Sequence, residues 1–292
     1  MTQENTQQGP KNSIDPNADL RGTLVVIGGA VRLDGEILRE FYQRSGGADG
    51  RIVILPTASA REEGGVEYID AFAALGVRRP AKILPVRTRE DANCPEIVEV
   101  ASRATGIFIS GGHQARLVSI LGGTLLHKAI IDVYRNGHCV GGTSAGASAL
   151  SAVMIANGHP GMLPRPRIAQ FLPGLGLIDT CIFDQHFRQR NRIGRMLYAV
   201  ASNPGLLGIG IDEDTAAVIQ GTSLNVYGSG AVTIVDGLAM TGSSIGEVPP
   251  NKVISMSGVQ LHILTEGSRF DMEKRRAVTP VSPPVTANGQ SE

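Results

Sequence analysis

Short apolar runs alternate with amphipathic stretches along the first half of the chain. Strand-like runs cover 23–27, 51–55, 81–86 and 106–109. Between them, apolar side chains recur at helical spacing, as from Ile37 to Tyr42. This alternation predicts an α/β fold with a mainly parallel sheet and helices on both faces. In such sheets the functional loops follow the carboxyl ends of the strands.

The last quarter of the chain has a different pattern, with short β-rich runs separated by glycine turns. These runs cover 216–219, 224–227, 231–235 and 259–264. They predict an antiparallel β extension on one edge of the sheet. Residues 1–20 are rich in Gln and Asn, and residues 269–292 contain a basic run followed by Pro, Ser and Thr. Both ends are predicted to be disordered tails of a single α/β domain at 21–268.

Composition and charge narrow the class of protein. The 292 residues are 42% hydrophobic with a formal net charge of zero, so no overall field attracts nucleic acid or a membrane surface. Cys94, Cys139 and Cys181 lack C-x-x-C spacing, which argues against a disulfide framework or a zinc site. The N-terminus lacks the apolar core of a signal peptide. We therefore expect a cytoplasmic protein.

A G-x-S-x-G pattern at Gly142, Ser144 and Gly146 lies between an apolar run and an Ala-rich run. A serine at a tight turn from strand to helix is typical of a nucleophile elbow. The N–H of Ala145, together with that of Gly112 in the loop after run 106–109, would then form an oxyanion hole. The alternative is a glycine-rich turn with a buried serine.

A serine nucleophile needs a base, and His186 has the most suitable position among the six histidines. It lies where the apolar run 181–187 turns polar, at the end of a predicted strand. Arg188, Arg190 and Arg192 follow it closely. A structural histidine and a solvated arginine face are the alternatives. Beside a Ser/His pair, the arginines favour a patch that binds carboxylates in bidentate geometry.

Four segments of the chain resemble the cyanophycinase family, serine peptidases of family S51 in the aspartyl dipeptidase clan. They are GGHQ at 111–114, GGTSAGA at 141–147, DQHFRQRNRIGR at 184–195 and GIDEDTA at 210–216. The resemblance implies a flavodoxin-like fold related to class I glutamine amidotransferases, a homodimer, and catalysis without a metal or cofactor. It also implies cleavage of cyanophycin, a poly-aspartate backbone with arginine on each side-chain carboxyl, into β-Asp-Arg dipeptides.

The resemblance assigns roles to individual residues. Ser144 would be the nucleophile and His186 the base. The residues implied to line the substrate pocket are Gln114, Asp184, Gln185, Arg190, Arg192 and Arg195. Two alternative functions are a dipeptidase for Asp-containing or isoaspartyl peptides and a catalytically weak homologue that binds Asp/Arg-containing ligands.

Two positions depart from the family pattern. A triad glutamate is expected in the loop after the elbow helix, where this chain reads GHPG at 158–161. Asp179 is the one acidic residue between Ala145 and Phe183, so Asp179 or Asp184 is expected to orient the histidine. The acidic run 212–214 is interpreted as a surface turn or as further acidic contacts. His113 stands where an aspartate is expected.

Overall fold

A computed structural model describes residues 22–61 and 64–280, so the predicted N-terminal tail lies outside the described residues. The strands are β1 (Thr23–Ile27), β2 (Ile52–Leu55), β3 (Lys82–Ile83), β4 (Gly106–Ile109), β5 (Cys139–Thr143), β6 (Val153–Gly158), β7 (Ala169–Pro173), β8 (Cys181–Asp184), β9 (Leu207–Ile211), β10 (Thr215–Gln220), β11 (Ser223–Gly228), β12 (Val232–Asp236), β13 (Gly242–Ser243), β14 (Met256–Ser257), β15 (Gln260–Leu264), β16 (Arg269–Asp271) and β17 (Arg276–Val278). The α-helices are α1 (Glu36–Arg44), α2 (Val66–Ala74), α3 (Pro95–Ser102), α4 (Gln114–Leu121), α5 (Leu125–Arg135), α6 (Ala145–Ala149) and α7 (Ile193–Ser202).

The central sheet has nine strands in the order β17-β16-β11-β10-β1-β5-β4-β2-β3. Strands β1, β5, β4, β2 and β3 run parallel, and the other four continue the sheet in antiparallel fashion from β1. The α/β class, the mainly parallel sheet and its antiparallel extension are therefore confirmed. The carboxyl ends of β1, β4 and β5 lie side by side, where such sheets place their sites.

Helices cover both faces of this sheet. Successive side chains of a strand point to opposite faces, so a strand that is apolar at every position needs packing partners on both. Val25 and Ile27 of β1 pack into the cluster that contains the apolar faces of α1 and α2. Leu24 and Val26 pack into a second cluster, with α4, α5 and α6. All four side chains are fully buried. The apolar runs of the sequence thus reflect burial on two sides.

A second sheet of four strands has the order β15-β12-β9-β8, with β8 and β9 parallel. We predicted that runs 231–235 and 259–264 extend the main sheet, and this is wrong for both. They form β12 and β15. Strand β12 pairs with β9, and β15 pairs with β12. Strand β9 is buried along its whole length, so both of its edges need hydrogen-bonded neighbours. One face of this sheet packs into the cluster that contains α6, and α7 covers the other.

The C-terminal boundary also differs from the prediction. Strands β16 and β17 continue the central sheet, and Phe270 pairs with Leu224 and is fully buried. The ordered domain therefore extends at least to Val278, beyond the predicted boundary at 268. Burial of this aromatic ring and of Met272 anchors a segment whose other side chains are mostly polar. The predicted tail lies outside the described residues from 281 onward.

Within residues 22–61 and 64–280, no single helix is both long and apolar enough to cross a membrane. Helices α4 and α5 pass that test together, by length and composition, but they are bent by 98° with respect to each other.

Candidate active site

Ser144 occupies the turn between β5 and α6 with φ 52° and ψ −112°. A positive φ is uncommon for a residue with a side chain, and it is the strain that a nucleophile elbow requires. The N–H of Ser144 donates to the carbonyl of Ile27 at 3.0 Å, which ties the turn to β1. A Cβ at Gly146 would overlap the carbonyl of Ile109. Glycine there lets α6 pack closely against β4, while Ser144 stays partly exposed.

His186 follows β8 and faces the serine. Its Nε2 accepts a hydrogen bond from Ser144 Oγ at 3.0 Å. The N–H of His186 donates to the carbonyl of Gly28 at 2.7 Å, although the residue has φ 46°. Gly29 has φ 103°, and a Cβ there would overlap the imidazole. Gly29 therefore provides the space in which the ring of His186 lies, and the carbonyl of Gly28 fixes the backbone of that residue.

Glu213 supplies the carboxylate that the sequence analysis did not find. His186 donates from Nδ1 to Glu213 Oε1 at 2.6 Å. The expectation that Asp179 or Asp184 orients the histidine is wrong. Asp179 is exposed and precedes β8, so it lies at the opposite end of that strand from His186. The carboxylate of Asp184 instead forms ion pairs with Arg192 and Arg195. Glu213 reaches the ring because it follows β9, the parallel neighbour of β8.

The acidic run 212–214 is held in place beside His186 by specific contacts, and it is not a surface turn. Asp212 is buried and accepts hydrogen bonds from the N–H and Nε of Arg188 at 2.9 and 3.1 Å. The N–H of Asp214 donates to the carbonyl of Gly29 at 2.9 Å. These contacts hold the chain on both sides of Glu213. A run of three acidic residues at the end of a predicted strand was the signal in the sequence.

The surroundings of His186 favour its neutral form. Burial lowers the pKa of His186 from its ordinary value of 6.5, and the charges of Arg190 and Arg192 act in the same direction. The hydrogen bond and the charge of Glu213 oppose them, without reversing the shift. A neutral imidazole with its proton on Nδ1 leaves Nε2 free to accept the proton of Ser144.

The loop after β4 lies against the nucleophile. A Cβ at Gly111 would lie 3.3 Å from Ser144 Cβ and 3.8 Å from its Oγ. Gly112, the next residue, and Ala145, the first residue of α6, are the predicted oxyanion donors. Each is the chain neighbour of a residue that forms this wall of the site, and their role as donors stays a prediction.

His113 and Gln114 begin helix α4. His113 Nδ1 accepts a hydrogen bond from the N–H of Arg116 at 3.3 Å. This is the N-cap interaction that aspartate commonly makes, so the residue change from the family pattern keeps the cap. Gln114 is half-buried, and its Nε2 donates to the carbonyl of Ile155 at 3.2 Å. Gln114 therefore connects this loop to strand β6.

Three of the predicted pocket residues form a buried ion cluster. Arg195 binds both oxygens of Asp184, at 2.5 and 2.6 Å, and Arg192 Nη1 lies 3.2 Å from Asp184 Oδ1. All three are at least 92% buried. Burial lowers the pKa of Arg192 to about 10, so its guanidinium remains charged at neutral pH. Arg192 also donates to the carbonyl of Gln185. The cluster therefore fixes the backbone that leads into His186.

The remaining predicted pocket residues lie beside the Ser/His pair. Gln185 is buried, with its Oε1 3.5 Å from Ser144 Oγ. Arg190 has an exposed side chain, and its N–H donates to the carbonyl of His186 at 3.0 Å. No group of three or more His, Cys, Asp or Glu side chains suited to a metal ion is found in the part of the chain that the structure describes.

Comparisons with known proteins identify the family of this chain. The family model described as Peptidase family S51 matches residues 24–227. Cyanophycinases from Nostoc sp. and Geminocystis herdmanii are each 39% identical, over 91% and 90% of this chain and 90% and 98% of their own lengths. The crystal structure of a peptidase from an acI-B1 Actinobacterium is 26% identical with a TM-score of 0.61, and covers 87% of this chain and 98% of its own. The chain therefore belongs to peptidase family S51 and is a serine peptidase.

Proposed function

We propose that the protein is a serine-type exopeptidase that hydrolyses cyanophycin to β-Asp-Arg dipeptides. Its relatives in Nostoc and Geminocystis carry the name of that activity. The observation that carries the assignment is the line of two hydrogen bonds from Ser144 through His186 to Glu213, 3.0 and 2.6 Å long. It has the three roles of a hydrolytic triad, namely nucleophile, base and orienting carboxylate.

In the first step, Ser144 Oγ attacks the carbonyl of an α-peptide bond after an Asp residue of the backbone, and His186 Nε2 takes the hydroxyl proton. The positive charge that develops on the imidazole is stabilised by Glu213. The carbonyl oxygen becomes an oxyanion, for which the N–H groups of Gly112 and Ala145 are the proposed donors. Collapse of this intermediate breaks the C–N bond, the leaving amine takes the proton from His186, and an acyl-enzyme remains on Ser144.

In the second step, a water molecule attacks the ester carbonyl. His186 accepts a proton from that water and returns it to Ser144 Oγ as the second intermediate collapses. The product leaves with a free carboxylate, and Ser144 regains its hydroxyl proton. The lowered pKa of His186 suits this cycle, since the ring starts each step as the neutral base.

The substrate has one free carboxylate and one guanidinium in each repeat. Arg190 is exposed beside His186 and makes no ion pair within the described residues, so it is suited to bind a carboxylate. Gln185 presents its amide oxygen 3.5 Å from Ser144 Oγ, and Gln114 begins the helix after the loop that lies against Ser144. We propose that these three contact the substrate, whereas the buried cluster of Asp184, Arg192 and Arg195 positions the segment.

The test is the release of β-Asp-Arg from purified cyanophycin by the wild-type protein and by Ser144→Ala. Release by the wild type and its loss in the variant would support both the substrate and the nucleophile. A wild-type protein that releases nothing from cyanophycin, yet reacts with a fluorophosphonate at Ser144, would contradict the substrate and favour the dipeptidase alternative.

The alternative of a catalytically weak binding protein was motivated by a missing carboxylate. Glu213 supplies that carboxylate, because it accepts a hydrogen bond from the histidine and orients its ring, so the argument for this alternative no longer holds. The homodimer and the cytoplasmic location stay predictions.

A further inference from the structure

A cavity of about 580 Å³ lies in the loop that joins β6 to β7. It is lined by residues 159–163 and 165–168 of that loop, and by Pro250 from the other side. Backbone hydrogen bonds hold its shape. The N–H of His159 donates to the carbonyl of Ile168, and the N–H of Ile254 donates to that of Pro164, each at 2.9 Å. These hydrogen bonds brace the loop that lines the cavity.

This cavity is a neighbour of the active site but does not contain it. The N–H of Gly161 donates to the carbonyl of Asn191 at 2.8 Å, and the N–H of Gly194 donates to the carbonyl of Gly161 at 2.9 Å. Asn191 follows Arg190, whose own N–H is bonded to His186. A ligand that extends from the Ser/His pair past Arg190 therefore comes to the rim of the cavity.

The lining is cationic and partly apolar. Arg165 and Arg167 are exposed, and neither has a hydrogen bond or ion pair from its side chain within 22–61 and 64–280. No Asp or Glu is among the residues that line the cavity. Met162 and Leu163, neighbours in this loop, are 65% and 52% exposed and offer apolar surface to a ligand. Two unpaired guanidinium groups beside an apolar surface suit a carboxylate that is attached to a peptide.

We propose that this cavity binds a repeat of the polymer beyond the two that flank the cleaved bond, with Arg165 and Arg167 on the free carboxylate of its arginine. The proposal rests on the proposed function. Met162 and Leu163 contact the methylene groups of the bound repeat. The cavity thereby gives the enzyme a preference for long chains, because the contact is made equally before and during the reaction and acts on KM.

The test compares the wild type with the double variant Arg165→Gln/Arg167→Asn. Asparagine is chosen because residue 167 has φ 64°, which asparagine tolerates. For the polymer, the variant should raise KM about tenfold and leave kcat within about twofold. For a peptide of two repeats, KM should change less than about twofold, since such a peptide does not reach the cavity. Raising the ionic strength should raise the polymer KM of the wild type more than that of the variant.

The matched control is Arg79→Gln/Lys82→Gln, which removes the same charge from exposed residues at the amino end of β3, opposite the edge where Ser144 lies. It should leave polymer KM unchanged. Equal increases in both double variants would overturn the proposal in favour of a general charge effect. An unchanged polymer KM in Arg165→Gln/Arg167→Asn would overturn the cavity assignment while the wild type still cuts the polymer. A wild type that does not cut the polymer would instead refute the proposed function, and with it this inference.

Discussion

Replacement of Glu213 by glutamine gives the sharpest test of the triad. The carboxylate accepts the Nδ1 proton of His186 at 2.6 Å, and its side chain is 35% exposed. Glutamine has nearly the same shape, but its amide is able to donate to Nδ1 and so favours the tautomer with Nε2 protonated. That tautomer does not accept the proton of Ser144. The variant therefore changes the position of the imidazole proton of His186 while leaving the packing around residue 213 nearly unchanged, so that a loss of activity reports on the tautomer.

The size of the effect follows from this geometry. An equivalent change in a fully buried serine protease triad costs about 10⁴ in kcat. Because Glu213 is partly open to solvent, screening reduces the electrostatic part of the loss. We expect kcat to fall about 100- to 1,000-fold, a rise of about 2.7 to 4 kcal/mol in the barrier. The acid limb of the pH profile should also move to lower pH, since Glu213 raises the pKa of His186.

The assay measures β-Asp-Arg release and, independently of substrate, the rate at which a fluorophosphonate labels Ser144. Asp179→Asn is the matched control, because it removes an exposed carboxylate at the far end of β8. It should retain full activity and labelling. A Glu213→Gln protein with unchanged thermal unfolding and more than half of wild-type kcat would refute the triad described here, and the reasoning on tautomers with it.

Three further expectations concern the surroundings of the triad. Because burial lowers the pKa of His186, kcat/KM should be half-maximal below pH 6.5, and a midpoint above 6.5 would contradict this. Asp184→Ala leaves two buried guanidinium groups unpaired and should lower the free energy of unfolding in urea by about 3–5 kcal/mol, whereas Asp49→Ala, in an exposed pair, should cost less than about 1 kcal/mol. Gly29→Ala should slow fluorophosphonate labelling about 100-fold by displacing the imidazole, and labelling at the wild-type rate would show that the ring has room.

Much of the fold could be predicted because the pattern of apolar runs is regular. The strands of the parallel half are continuous apolar segments buried on both faces, and glycine-rich loops mark their carboxyl ends. The G-x-S-x-G turn and a histidine at a strand end were visible for the same reason. The structure places these two side chains 3.0 Å apart, although 42 positions separate them in the chain.

Glu213 was missed because its position depends on which strands pair. The sequence shows an acidic run after an apolar strand, but it does not show that β9 is the neighbour of β8 in a separate sheet. With β8 and β9 in parallel register, Asp184 lies opposite Gly210, so the chain segments after both strands meet. The buried Asp184–Arg195 pair was likewise read as a substrate contact, since a sequence does not distinguish an exposed arginine from a buried one.

The short C-terminal strands escaped prediction for a different reason. The segment from Arg269 to Val278 carries several charges and few apolar residues, so its pattern resembles that of a solvated tail. Two buried side chains, Phe270 and Met272, and pairing with the edge of β11 hold these two strands in the sheet. Edge strands of this kind need little hydrophobic content, because backbone hydrogen bonds to an existing sheet supply much of the contact.

The nucleophile and its base are carried by different sheets. Ser144 extends from β5 of the central sheet, whereas His186 and Glu213 extend from β8 and β9 of the smaller one. The spacing between the two sheets therefore determines the distance between Ser144 and His186. This spacing is set by apolar side chains of the core cluster between them, such as Phe183 and Ile209. A substitution in that layer changes the reaction without touching a reacting group.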